Sequence, residues 1–297
     1  HRAPTGGWVV GVHIADVTYY VRPNSPIEKE ARKRGNSTYL VGTVIPMLPF
    51  ELSNGICSLV EDCDRLVKSV FLTFDGGGDC TDVSFANSVI RSQKRLSYEQ
   101  AYAFLTENDL SKIRKMKSPA EYETKYAGKS LDELGNAELQ KLRTMIRQLW
   151  SVASTLRKKR MRKGSLDLEM PEIKIFCNKD GYADRIEKME NNEAHQLIEE
   201  FMLAANEAVA RELWANHQPY ISRVHDAPEP EKLGEFREWI SSFGIECGDL
   251  TSRNEVMRVL SLMAKHPQSY LMKTKFLRSM KRAVYRASPD GHYGLHK

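Results

Sequence analysis

Residues 35–59 read GNSTYLVGTVIPMLPFELSNGICSL, and this stretch decides the fold. A polar turn, an aromatic at Tyr39, two closely spaced prolines and an Asn-Gly pair set an unusual backbone path. Pro46 and Pro49 each remove a backbone donor and push the preceding residue toward extended geometry, which predicts a rigid non-helical crossing from Ile45 to Pro49. Neither an ordinary helix nor an ordinary strand is expected across the stretch, and backbone of this kind suits the wall of a cleft. Upstream, Trp8 to Val21 alternates apolar and polar positions and is rich in Val, Ile and Tyr, the pattern of a strand that opens a sheet. Between the two lies a short helix over Pro26 to Arg34, with Ser25 or Asn24 as its cap and Gly35 as its end.

Downstream, Leu66 to Phe74 and Thr81 to Arg91 read as a strand pair. Asp75 to Asp79 join them as a hairpin tip, because a phosphate-cradling loop needs Gly-Lys-Ser/Thr running into a helix. Residues 108–136 are charged, poor in large apolar side chains and interrupted by Pro119, which leaves a mobile surface insertion or a pair of weak helices. Helical spacing follows from Ala137 to Lys163 with a basic end, RKKRMRKG. Those charges either complement the negative helix terminus or guide a phosphate backbone. A hairpin over 173–189 turns at Asn178 to Gly181, and a long helix over 191–217 follows. Three further helices are expected over 230–243, 252–265 and 268–282.

Composition bounds the rest. The chain has 297 residues, 41% of them apolar, enough to bury a substantial core. No apolar run approaches the roughly 18 residues that span a bilayer, and the first residues lack the order of a signal peptide, so a cytoplasmic protein without a membrane is expected. The five cysteines are scattered without a CxxC pair, which disfavours a disulfide framework or a zinc site. A net charge of +5 is modest for this length, so the placing of basic clusters matters more than their sum.

With VHIADVTYYVRPNSPIEKEARKRG (Val12 to Gly35), the opening stretch resembles the catalytic RNB domain of the ribonuclease II/R exoribonuclease family, its ribonuclease R branch most closely. The likeness returns in order at KRLSYEQAY (Lys94 to Tyr102), HQLIEEFMLAAN (His195 to Asn206), RVHDAPEPEKL (Arg223 to Leu233), LRSMKRAVY (Leu277 to Tyr285) and GHYGL (Gly291 to Leu295). It implies an α+β fold: an RNB-type catalytic domain with a mixed β-sheet flanked by helices and long helices in the C-terminal half. Residues 1–297 would form a single such domain, incomplete at both ends. The implied activity is magnesium-dependent, processive 3′ to 5′ hydrolysis of single-stranded RNA to nucleoside monophosphates, by a monomer with OB-fold modules on either side. The family's aspartate-rich metal motif is expected before Trp8 and its Ser-Pro-Ile-Arg motif after Leu295, so metal ligands and catalytic residues are expected outside the chain and the fragment alone is expected to be inactive. The alternative is a catalytically silent RNA-binding or scaffolding version of the same fold.

The resemblance also assigns an RNA path. Tyr39 matches the tyrosine that stacks on a terminal base, a device that tolerates every base; without the resemblance it reads first as a core tyrosine. Tyr98 matches a tyrosine near the terminal riboses, where its hydroxyl would meet a 2′-hydroxyl, or else it packs at a helix start. Glu199 matches the glutamate that works with this tyrosine, while its neighbour Glu200, about 100° round the helix, is expected to be solvated. Leu168 stands where some members carry a second aromatic. Asp16 and His13 match family positions, and Asp16 is a candidate to support metal ligands from behind. Asp62 and Asp64 read as surface carboxylates. Arg223 and His225 either contact phosphate or knit a strand end. Arg278, Lys281 and Arg282 would share one helical face, as a strip along the RNA backbone or as an ordinary solvated face.

Overall fold

The computed structural model describes residues 1–4, 6–117, 128–168, 170, 172–178, 180–189 and 191–297. It falls into two compact units: His1–Ser154 with Glu172–Ala208, and Thr155–Pro171 with Val209–Lys297.

In the first unit, strands β1 (Trp8–Ala15), β4 (Asp64–Phe74) and β5 (Cys80–Arg91) form an antiparallel sheet in the order β1-β4-β5. Val10 faces Leu72 and Val12 faces Val70 in register. Val10, Val67, Val70, Leu72 and Phe74 are buried. The tip between β4 and β5 is a closed turn. The Asp75 carboxylate accepts from the amides of Gly77 (2.9 Å) and Asp79 (2.8 Å), and Gly78 takes φ 76°.

After β1 come a four-residue helix α1 (Val17–Tyr20) and helix α2 (Pro26–Arg34). Ser25 caps α2 by accepting from the Glu28 amide at 3.2 Å, and Gly35 ends it at φ 69°. The next stretch corrects the expectation that no strand forms there, because β2 (Thr38–Leu40) and β3 (Thr43–Ile45) pair as a small hairpin. β-Branched Thr38, Thr43, Val44 and Ile45 favour extended backbone, and Gly42 at φ 76° makes the turn. Residues 46–49 are non-helical as read. Arg34 donates to the Pro46 carbonyl (2.7 Å) and the Met47 amide to Ser37 Oγ (2.9 Å), and a π-helical turn follows over Glu51–Ile56.

Helices α3 (Tyr98–Thr106), α4 (Leu110–Arg114), a 3₁₀ turn (Leu131–Glu133) and the first part of α5 (Asn136–Arg162) share one apolar cluster: Phe104, Ile113, Leu131, Leu134, Leu139 and Ile146. The flanks of the 108–136 segment are therefore anchored by Ile113 and Leu131, and residues 118–127 lie outside the described residues. Strands β6 (Glu172–Cys177) and β7 (Ala183–Met189) make the expected hairpin, in which Asn178 Oδ1 accepts from the amides of Asp180 (3.0 Å) and Tyr182 (2.9 Å). Helix α6 (Glu193–Ala215) follows, with Leu197, Phe201, Ala205 and Ala208 buried.

In the second unit, α7 (Pro230–Ser241), α8 (Arg253–Ala264) and α9 (Ser269–Ser279) enclose Phe236, Ile240, Val256, Met263, Met272 and Phe276, while β8 (Ser222–Val224) pairs with β9 (Val284–Arg286). Arg258 and the Gly248 amide hold the Glu255 carboxyl down at about 2. The α+β class and the helix-rich C-terminal half stand as expected. The named strands, however, occupy one three-stranded and three two-stranded sheets, all paired antiparallel, in place of one mixed sheet. The pairs β2–β3, β4–β5 and β6–β7 are hairpins, whose short turns leave no room for the long crossover that a parallel neighbour needs. None of the five cysteines is in a disulfide, and all are half-buried. Among the described residues no helix is long and apolar enough to cross a membrane.

Candidate nucleic-acid interface

Tyr39 sits in the middle of β2 opposite Val44 and is 79% exposed. Leu40, Val41 and Ile45 around it are exposed too, so the hairpin presents an apolar, aromatic edge to solvent. A tyrosine serving the core would be covered; this one is not.

Tyr98 is the first residue of α3, directly after a capping box in which Ser97 Oγ accepts from the Gln100 amide (3.2 Å) and Gln100 Oε1 accepts from the Ser97 amide (3.0 Å). Those two hydrogen bonds fix where the helix begins and hence where Tyr98 projects. Its ring stacks on His195 with centroids 3.9 Å apart and planes 15° from parallel. Its hydroxyl has no hydrogen-bond partner among the described residues. His195 lies in the first turn of α6, where Asn192 Oδ1 accepts both from the Ala194 amide (3.1 Å) and from His195 Nδ1 (2.9 Å). Glu199, half-buried, lies one helical turn further along the same face. Glu200 corrects its expected solvation: it is only 3% exposed, because the rotation from Glu199 carries it to the side of Leu197 and Phe201.

Asp16 is engaged within the chain. It accepts from Thr18 Oγ1 at 2.6 Å and lies 3.2 Å from Lys68 Nζ. The Thr18 hydrogen bond first, and then Lys68, hold its carboxyl below the usual range. Nearby, His13 Nδ1 meets Ser69 Oγ at 2.8 Å, and burial pushes its pKa down. Asp64 is bound by Arg91 at 2.8 Å, and Asp62 sits at φ 57° in a turn. Among the described residues no three carboxylate, imidazole or thiol side chains converge as a metal site, so the groups present do not fit a divalent cation.

In the second unit, Leu168 packs partly buried against the α7–α9 cluster. Arg278, Lys281 and Arg282 are exposed but do not share a helical face, which corrects the sequence expectation. Helix α9 ends at Ser279, whose hydroxyl donates back to the Phe276 carbonyl (2.6 Å), and Met280 turns extended at ψ 150°. Lys281 and Arg282 therefore lie beyond the helix, with Lys281 Nζ 3.4 Å from Glu229. Of the two readings of RVHD, His225 takes the knitting one. Its Nε2 donates to the Lys281 carbonyl (2.9 Å) while Nδ1 accepts from the Gly294 amide (3.2 Å). Arg223 lies over the Tyr285 ring at 4.8 Å, and Arg286 grips Asp226 through two bonds of 2.9 and 2.6 Å. In the basic end of α5, Arg157 pairs with Asp167 (2.8 Å) and Arg160 donates to Ser165 Oγ (2.8 Å), so part of that charge is used locally.

Sequence reasoning missed His195 and Asn192 as parts of this surface. The signal was present, since His195 precedes Glu199 by four residues and so shares its helix face.

The exposed Tyr39 and the Tyr98–His195 stack belong to the same compact unit. The RNB domain family profile matches residues 1–297, and the chain belongs to that family. Within it, the chain is 36% identical over 297 residues to ribonuclease R of Thermotoga maritima, covering 99% of this chain and 38% of that protein. The structure of Mycoplasma genitalium RNase R in complex with ribose methylated single-stranded RNA matches with a TM-score of 0.85 at 27% identity, covering 100% of this chain and 43% of that one. Yeast Ssd1, a pseudonuclease, shares the fold at a TM-score of 0.69 and 18% identity, with 100% and 34% covered. The chain thus spans well under half the length of each of these proteins.

Proposed function

We propose that residues 1–297 are the central part of one RNB catalytic domain in a processive 3′ to 5′ exoribonuclease that hydrolyses single-stranded RNA to nucleoside monophosphates. The protein would act in the cytoplasm as a monomer, with OB-fold modules of the same polypeptide at the channel entrance. The observation that carries this reading is the presence, within one unit, of a solvent-facing Tyr39, the Tyr98–His195 stack and Glu199. The likeness to ribonuclease R supports it.

In this reading the Tyr39 ring stacks on a base near the 3′ end. The Tyr98 hydroxyl hydrogen-bonds the 2′-hydroxyl of a terminal ribose, and the Glu199 carboxylate accepts from a neighbouring sugar hydroxyl. Leu168 adds an apolar contact for a base, and Arg278, Lys281 and Arg282 attract the phosphate backbone. Asp16, ionised and balanced by Lys68, would act as a supporting carboxylate and not as a ligand. Magnesium is proposed as the cofactor of the hydrolysis, with none of the described residues as its ligands. With no converging ligands among the described residues, the isolated chain is proposed to bind RNA but to release little product.

Tyr39→Ala tests the binding half directly. In the full-length protein it should weaken retention of a short single-stranded RNA by about 1–3 kcal/mol, roughly 5- to 150-fold in Kd. Unchanged affinity would return Tyr39 to a structural role and remove the stacking step.

A further inference from the structure

We infer that His195 is a positioning residue for sugar recognition: it holds the Tyr98 ring in the one orientation that presents its hydroxyl to a terminal 2′-hydroxyl. This rests on the reading above that Tyr98 meets the terminal ribose. Tyr98 starts a helix and is 38% exposed, so without a partner its ring would sweep through several rotamers and its hydroxyl through several ångströms. A ring lying parallel at 3.9 Å removes that freedom.

Three features separate this arrangement from ordinary core packing. The His195 ring is tethered, because the Asn192 oxygen that caps α6 also accepts a hydrogen bond from Nδ1; the imidazole therefore keeps one orientation and leaves Nε2 unpaired among the described residues. The ring is not enclosed. It borders a cleft of about 580 Å³ whose wall also includes Glu99, Tyr102, Met116, Met189 and Asn192. Finally, the stack joins the first turns of α3 and α6, and Glu199 follows one turn on. Positioning at one end of the sugar contact and a carboxylate at the other thus come from a single helix face. A tether, a stack and a carboxylate in series make a rigid frame for one hydroxyl, and rigid framing of the contact group is what discrimination between ribose and deoxyribose requires.

The test uses the full-length protein with divalent metal chelated, and two short single-stranded oligoribonucleotides that differ only in a 2′-deoxy sugar at the 3′ end. The wild type should prefer the ribose end, and Tyr98→Phe should lose about five- to tenfold of that preference, the worth of one hydrogen bond. His195→Ala should lose a similar factor, and should lose nothing further in a Tyr98→Phe background. His195→Phe keeps the stacking face without the Asn192 tether and should retain more of the preference than His195→Ala does. His195→Gln keeps a polar partner for Asn192 without a ring and should behave as His195→Ala does, which secures the test if the alanine variant does not fold. Wild-type preference in either ring-less variant, alongside its loss in Tyr98→Phe, would overturn the inference while leaving the ribose contact intact. Absence of any preference in the wild type would overturn the ribose contact itself, and this inference with it.

Discussion

Lys94→Met is expected to destabilise the protein by about 3–5 kcal/mol, because it strands a buried carboxylate. The Glu61 side chain is 3% exposed and that of Lys94 8%. Lys94 Nζ reaches both Glu61 oxygens, at 3.0 and 2.9 Å, and the same carboxylate accepts from the Arg95 amide (2.9 Å) and the Lys129 amide (3.2 Å). Lys94 also donates to the Lys129 carbonyl. The site is tight: a Cβ placed on Gly128, which sits at φ +71°, would lie 2.3 Å from the Glu61 carboxyl carbon. The pair thus ties three distant segments together, and the chain cannot relax to let water reach Glu61 without opening all of them. Methionine keeps the length of the side chain but not the charge or the donors. Chemical denaturation should show the loss, and adding Glu61→Leu should restore much of it, since a neutral apolar pair avoids the desolvation cost. A loss under about 1 kcal/mol for Lys94→Met would mean that solvent already reaches the pair.

Phe236→Ala is expected to cost a similar amount, about 3–5 kcal/mol, for a different reason. Phe236 is wholly buried in the cluster that α7, α8 and α9 build, with Phe276 at 5.2 Å and Trp239 at 6.1 Å between ring centroids. Removing it leaves a cavity among rigid helices whose neighbours, Met263, Met272 and Phe276, are themselves fully enclosed. Such walls collapse little, so both the transfer energy and the cavity energy are lost. Denaturation followed by tryptophan fluorescence, with Trp239 tilted against Phe243 at 4.7 Å, should report the change. Phe236→Leu should recover much of it. A cost near 1 kcal/mol for the alanine variant would show that this cluster repacks freely.

Local signals in the sequence were legible where the determinants are local. Ser25, Pro26 and Gly35 bracket α2 as read, and the tips at Asp75 and Asn178 close through their own side chains. The β2–β3 hairpin escaped because strands of three residues carry too little alternation to register against two nearby prolines. The basic strip failed because Arg278, Lys281 and Arg282 have helical spacing, yet nothing in that spacing reports that Ser279 bonds back to Phe276 and ends the helix. Glu200, three residues after Leu197, falls on the buried stripe by helical spacing, but its charge favoured the solvated reading over that position. The Glu61–Lys94 pair lies beyond sequence patterning, since it joins residues 33 positions apart through the tertiary fold, and the helix face that His195 shares with Glu199 gives no hint that Tyr98, 97 positions earlier, stacks on it. The family resemblance supplied Tyr39, Tyr98 and Glu199 as candidates. The structure supplied the histidine that links the last two.

The most direct measurement is photocrosslinking of a single-stranded oligoribonucleotide carrying a photoreactive base at its 3′ end, followed by mapping of the modified peptides. Crosslinks should fall on the hairpin bearing Tyr39 and on the segments bearing Tyr98 and His195. Crosslinks confined to the basic end of α5, or none at all, would contradict the placing of the RNA terminus at this site.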